Sequence, residues 1–199
     1  MKRYAVFLLI AASFLLTPLG ASTDSVETEG VDFPQQRNNL KLRSTATATW
    51  MKFIKVYSAA LYASDSSSPA QVLDGSQPVS LDIGYLIPLK REQIIKAAEV
   101  ALTRQHNVAT LSRYKQQIEE IHTQYLNINK GDHYRIDYIP GEGLRLLHND
   151  NLLTHIKSDA FALLYLGIWL DENPRSEPLL TALLDWPDPG PEQRHYEQT

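Results

Sequence analysis

The sequence predicts an α+β layer fold, an antiparallel sheet of about six strands with helices on one of its faces. Two groups of three strand-like stretches, one before Pro88 and one after Lys130, bracket a pair of segments with helical spacing. A late segment, SDAFALLYLGIWL, is apolar on every side and reads as a buried helix. Strands grouped as hairpins on either side of the helices pair antiparallel, and the helices then cover a single face.

The first 21 residues, MKRYAVFLLIAASFLLTPLGA, combine two cations, an apolar run from Tyr4 to Leu16 and the breaker Pro18 before Gly20 and Ala21. This is the layout of a secretory signal peptide cut after Ala21. The run is shorter than the roughly 20 residues a membrane span needs, so no stable anchor is expected after cleavage. No cysteine follows it, which excludes a lipoprotein anchor. A chain without cysteine also has no disulfide, no thiolate nucleophile and no cysteine zinc site, and export without disulfides suits a bacterial periplasm. Loss of Lys2 and Arg3 lowers the formal charge of −4 by two, to −6, which argues against nucleic acid as a partner. Residues 22–39 are polar and acidic without apolar period and read as a flexible lead-in, residues 40–186 as one domain, and residues 187–199 as a loose tail.

Within the domain, Leu40, Leu42, Ala46, Ala48 and Trp50 alternate with Lys41, Arg43, Thr45, Thr47 and Thr49, the pattern of a half-buried strand. The next strand, Phe53 to Ala63, is apolar on both faces and belongs in the middle of the sheet. Ser64 to Gln77 is a surface connection with one helical turn near Ala70 to Leu73, and Val79, Leu81, Ile83 and Tyr85 mark a third strand. Helical spacing begins after Pro88, with Ile94, Ile95, Ala98, Ala101 and Leu102 on one stripe and no good N-cap. A second helix carries Leu111, Tyr114, Ile118, Ile121 and Tyr125 behind the cap Thr110. Tyr134, Ile136 and Tyr138 then alternate with Arg135 and Asp137. A loop of Gly141 to Gly143 would set Tyr138 opposite Leu146 and Ile136 opposite His148, leaving Arg135, Asp137, Arg145 and Leu147 on the outer face. Asn149-Asp150-Asn151 makes the next turn, LLTHI the last strand, and a short helix follows the apolar one from Ser176, with Pro178 in its first turn.

The chemistry-bearing residues are sparse. His148 and His155, with Asp150, are the candidates for a metal, but a site needs at least three facing ligands, and turn and surface roles account for them better. There is no G-x-S-x-G nucleophile motif. The glycines of GEG sit between strands, whereas a phosphate loop joins a strand to a helix. Arg135, Asp137 and Arg145 form an exposed charge cluster with a structural role, so neither cofactor nor metal is expected.

KFIKVYSAALYAS, KGDHYRIDYIPGEG and FALLYLGIWLDENP, in this order, resemble the chalcone isomerase-like proteins of bacteria across Leu40 to Leu184. The sequence departs from that pattern at Asp150-Asn151, where Asn-Gly is common, and at Asp171, where Gly is common. The resemblance implies an open-faced β-sandwich. It also implies a comparison with the plant enzymes, which close a chalcone to a flavanone and must stabilise negative charge growing on a carbonyl oxygen. Carried onto this sequence, their threonine position falls at Tyr57 and their arginine position near Thr45, with Arg43 the nearest arginine; their helix tyrosine and asparagine become Ile94 and Ala101, which cannot donate a hydrogen bond. A second branch of the fold holds fatty acids, with an arginine on the carboxylate. The reading that results is a noncatalytic periplasmic binder of an apolar or fatty-acid-like small molecule, with Arg43, Thr45, Tyr57, Ile94 and Ala101 at the site and no catalytic residue. Its alternatives are an intramolecular lyase of the chalcone isomerase type and an interaction protein with a filled interior.

Overall fold

The computed structural model describes residues 24–51, 53–171 and 177–188. The expected signal segment and nearly all of the expected tail lie outside them. Among the described residues no helix is long and apolar enough to cross a membrane.

A seven-stranded antiparallel sheet forms the frame. Its strands run in sequence order: β3 (Gln36–Arg37), β4 (Leu40–Trp50), β5 (Ile54–Ala63), β6 (Val79–Tyr85), β7 (His133–Ile139), β8 (Gly143–His148) and β9 (Asn151–Ile156). Each connection joins neighbours, so every pairing is antiparallel and no crossover is needed. One face is covered by α1 (Pro69–Leu73), α2 (Arg91–Gln105), α3 (Val108–Arg113), α4 (Lys115–Gln124), α5 (Asp159–Leu170) and α6 (Glu177–Leu183). The main core lies there: Leu61, Leu81, Ile83, Ile136 and Leu146 of the sheet meet Leu102, Ile121, Phe161 and Tyr165 of the helices. The sandwich and its single helical layer are as the strand and helix patterns predict.

The lead-in departs from expectation. Residues 25–37 hold a two-stranded ribbon, β1 (Ser25–Thr28) with β2 (Val31–Pro34), and the edge strand β3, which raises the sheet from six strands to seven. Glu29-Gly30 and Asn38-Asn39 turn the chain with positive φ at both positions, the two-residue hairpin geometry. Two alternate side chains hold the ribbon down. Val31 and Phe33 pack with Leu40, Ala60 and Tyr62 into a second, small core on the face opposite the helices, and Phe33 is 0% exposed. Val26, Val31 and Phe33, scattered in a polar stretch, give no visible period, which is why composition alone points to a flexible segment.

Beside that small core lies a buried ionic network. Asp82, 0% exposed, accepts from Arg37 Nη2 at 2.7 Å and contacts His133 Nδ1 at 2.8 Å. Asp137 accepts from Ser80 Oγ at 2.6 Å, Asn38 Nδ2 at 2.9 Å and Arg135 Nε at 3.1 Å. Asp150 joins the halves by accepting from Arg37 and Arg135. Burial pushes the Asp150 carboxyl up, but these two guanidiniums more than offset it and hold the group below the usual carboxylate range. Arg135 and Asp137, expected to be exposed, are buried because β3 and its turn close over them.

Four local expectations are corrected. Leu42 pairs with Tyr62 and Ser44 with Leu61, so Arg43 is an extra residue in β4. That bulge inverts the faces: Leu40 and Leu42 lie in the small core, whereas Ala46 and Ala48 lie in the main one. The second expected helix is two, broken at Tyr114, and its cap is Asn107, whose Oδ1 accepts from Thr110 N at 2.9 Å. In the β7–β8 hairpin Tyr138 pairs with Leu144, Ile136 with Leu146 and Tyr134 with His148, two residues from the expected register. Gly143 itself pairs with Ile139, which shortens the loop, and a shift of two leaves every side chain on its expected face.

Candidate functional site

A cavity of about 270 Å³ opens between the helix side of β5 to β7 and the helices α2 and α5. Ile83, Tyr85, Tyr125, Tyr134 and Ile168 are buried and form its floor. Val56, Ile87, Leu89, Ile94 and Ala97 are half-buried and form its walls. Trp50 and Gln93 stand exposed at the rim. Trp50 is 56% exposed and continues into Met51, Phe53 and Ile54, all exposed at the tip of the β4–β5 hairpin.

Local irregularity shapes the wall. Ala48 pairs with Tyr57 and Thr49 with Lys55, so Val56 is an extra residue in β5, and both Val56 and Tyr57 line the cavity. Tyr57 Oη accepts from Trp169 Nε1 at 3.2 Å, which ties the sheet to α5 across the cavity edge. The floor is aromatic: Tyr85 meets Tyr134 edge to face at 6.1 Å, and Tyr125 meets Tyr134 at 5.0 Å in the same way. The hydroxyls of Tyr125 and Tyr165 are 2.9 Å apart, and Tyr134 Oη accepts from Leu126 N at 2.7 Å. Burial raises the pKa of Tyr125, Tyr134 and Tyr165, so these phenols are neutral hydrogen-bonding groups at physiological pH. Among the described residues no Lys, Arg, His, Asp or Glu lines the cavity.

The five residues singled out in the sequence do not all meet. Tyr57 and Ile94 line the cavity. Ala101 is buried in the core one helical turn along α2, and Ala97 and Ala98 take the place it was expected to hold. Thr45 faces the other side of the sheet, where Thr28 Oγ1 donates to its Oγ1 at 2.9 Å. Arg43 lies five residues along β4 from Ala48, the partner of Tyr57, about 16 Å at the rise of a strand. There its Nη1 meets Asp65 Oδ1 at 3.1 Å and its guanidinium lies 5.7 Å from the Trp186 ring. The bulge turns Arg43 toward the helical side but at the wrong end of the strand. Nor do the candidate metal ligands converge. His155 Nε2 meets Glu142 O at 2.8 Å, His148 Nε2 lies 3.8 Å from Asp132, and Asp150 is held by arginines; no group of three metal-ligating side chains occurs among the described residues.

The tyrosine floor was not singled out in the sequence. A signal was present: Tyr85 closes β6 and Tyr134 is the second residue of β7, so an antiparallel pairing brings both to one end of the sheet, beside Tyr57. Recognising it required the strand order as well as the alternation.

A family model described as chalcone isomerase-like matches residues 25–185. No curated protein matches the sequence. Solved structures do: the crystal structure of an Arabidopsis thaliana fatty-acid binding protein superposes with a TM-score of 0.64 at 14% identity, over 81% of this chain and 96% of that one. At this identity the likeness is one of fold.

Proposed function

The chain belongs to the chalcone isomerase-like family, and from that membership we propose that it is a noncatalytic periplasmic protein that binds an apolar small molecule between its sheet and its helices. The observation that carries this reading is the cavity itself. Protein interiors are packed to few voids larger than a water molecule, yet here about 270 Å³ lined by aliphatic and aromatic side chains stays open to a rim. The volume is near the lower end of the range for small-molecule sites, roughly 300 to 1,000 Å³. An interaction protein without a ligand would fill this space with side chains.

Ring closure of a chalcone needs a cation or a set of donors aimed at the oxyanion. Ile94 and the alanines of α2 present none on that wall, and Arg43 is engaged with Asp65 far from it. A shared fold with a fatty-acid binding protein supports a carrier rather than a lyase. Export rests on the signal-like segment that ends at Ala21, and N-terminal sequencing of a periplasmic fraction is expected to begin within a few residues of Ser22.

The test is native mass spectrometry of the mature protein for a co-purified small molecule, followed by titration with the neutral apolar dye Nile red. Ala97→Trp, which fills the cavity from its α2 wall, is expected to abolish dye binding while leaving the circular dichroism unchanged. Equal binding by wild type and Ala97→Trp would remove the cavity as the site. Rapid stereoselective cyclisation of a chalcone would replace the carrier with an isomerase.

A further inference from the structure

Resting on the binding role above, we propose that the cavity selects an uncharged molecule and excludes a free carboxylate, so that its occupant is a neutral lipid or ring compound with at most hydrogen-bonding oxygens.

The described lining offers no counter-charge to an ionised head group. No described residue that forms it carries a charge, and an ion transferred into such a site loses its hydration without gaining a counter-charge. Three described cations near it are directed elsewhere. Lys55 pairs with Glu29 at 2.5 Å on the opposite side of the hairpin, Lys96 approaches Glu99 at 3.8 Å along the outer side of α2, and Arg91 Nη2 donates to His122 O at 3.5 Å. Arg43, the arginine that a carboxylate ligand would require, sits at the other end of its strand with Asp65.

What the cavity does offer suits a neutral ligand. Several of its tyrosyl hydroxyls are already held by Trp169, Tyr165 and a backbone amide, so they form a fixed polar lining of weak, uncharged donors and acceptors. Neutral donors of this kind recognise an alcohol, ester or ketone oxygen, whereas a carboxylate taken from water needs charge-assisted bonds about twice as strong. The aromatic floor and aliphatic walls supply the remaining contact area without any further polar demand. Gln93 at the rim is the natural place to supply the missing charge, since it is exposed and borders the opening.

The test uses a matched pair, dodecan-1-ol and dodecanoate, each below its micelle concentration and each displacing Nile red from the mature protein at pH 8. The alcohol is expected to bind at least tenfold more tightly. As the pH is lowered to about 5 the carboxylate should approach the alcohol, because protonation near its ordinary pKa of roughly 4 to 5 supplies the neutral form; circular dichroism at each pH confirms that the protein is folded. Gln93→Lys should shift the alcohol-to-dodecanoate affinity ratio about tenfold toward dodecanoate at pH 8, whereas Gln93→Met, which loses the same side-chain amide without adding charge, should keep the wild-type ratio. Equal or tighter binding of dodecanoate at pH 8 overturns the inference and leaves the carrier role standing. An unaltered preference in Gln93→Lys overturns it as well, since charge at the rim would then not govern selection. Failure of both ligands to displace the dye removes the binding role and this inference together.

Discussion

Replacing Arg37 by Met tests whether the N-terminal segment is part of the folded unit. The Arg37 guanidinium bridges Asp82, which is fully buried, and Asp150 on the β8–β9 turn. Methionine keeps the apolar stem and removes the charge, so Asp82 is left with only His133 at 2.8 Å. Breaking a buried pair by removing one partner costs about 3 to 5 kcal/mol, most of it the penalty of an uncompensated ion. Because His133 remains, we expect the lower end, about 3 kcal/mol. At roughly 2 to 4 °C per kcal/mol for a domain of this size, the melting temperature should fall by about 6 to 12 °C. Urea unfolding followed by circular dichroism gives the free energy, and Asp82→Asn alone and combined with Arg37→Met completes a cycle. The double variant should cost less than the sum of the singles by at least about 1.5 kcal/mol, since it removes the stranded charge with its partner. A loss below about 1 kcal/mol for Arg37→Met, or an additive cycle, would refute the claim that β3 is locked to the sheet by this network.

Other expectations follow from particular contacts. His122 is buried against Tyr125 and Tyr165, and burial lowers its pKa despite the opposing field of Glu99. The unfolded chain, with an ordinary imidazole pKa near 6.5, therefore binds more protons there, so stability present at pH 7.5 should decline as the pH falls to about 5.5. His122→Leu should flatten that decline in urea midpoints; an unchanged slope would place its origin elsewhere. Gly141 and Gly143 both have positive φ, but a Cβ at Gly141 meets open space while one at Gly143 meets the backbone of Ile156 to Ser158. Gly141→Ala should thus cost about 1 to 2 kcal/mol for the backbone alone, and Gly143→Ala measurably more in the same melts; equal costs would contradict the close approach. Trp169 is half-buried at the cavity edge, so Trp169→Ala should cost about 2 kcal/mol, less than the 3 to 5 typical of a fully enclosed ring. Nile red binding should weaken with it.

Much of the fold was legible because it depends on short-range regularity. Val79 to Tyr85 and Tyr134 to Tyr138 show their core faces by alternation, and the helix from Asp159 to Leu170 shows its burial by lacking a polar side. The order of hairpins then leaves little freedom, since each strand pairs with the next one in the chain. Of the five residues to which the family resemblance points, Tyr57 and Ile94 line the cavity proposed as the site, whereas Arg43, Thr45 and Ala101 fall at positions it does not reach.

The amino-acid sequence by itself determined most of the strands and helices from Leu40 onward, which faces are apolar in each uninterrupted element, and the family. Only the tertiary structure decided the rest, because the rest depends on partners distant in the chain. A single extra residue at Arg43 inverts half of β4, and it is visible only in the pairing with β5. Arg37 reaches Asp82 and Asp150 across 45 and 113 residues, and Asn38 reaches Asp137 across 99, so no local pattern announces that network. The cavity is likewise a property of convergence: β5, β6, β7, α2 and α5 each bring core or half-buried side chains to one place, and the space left between them is set by how the layers meet.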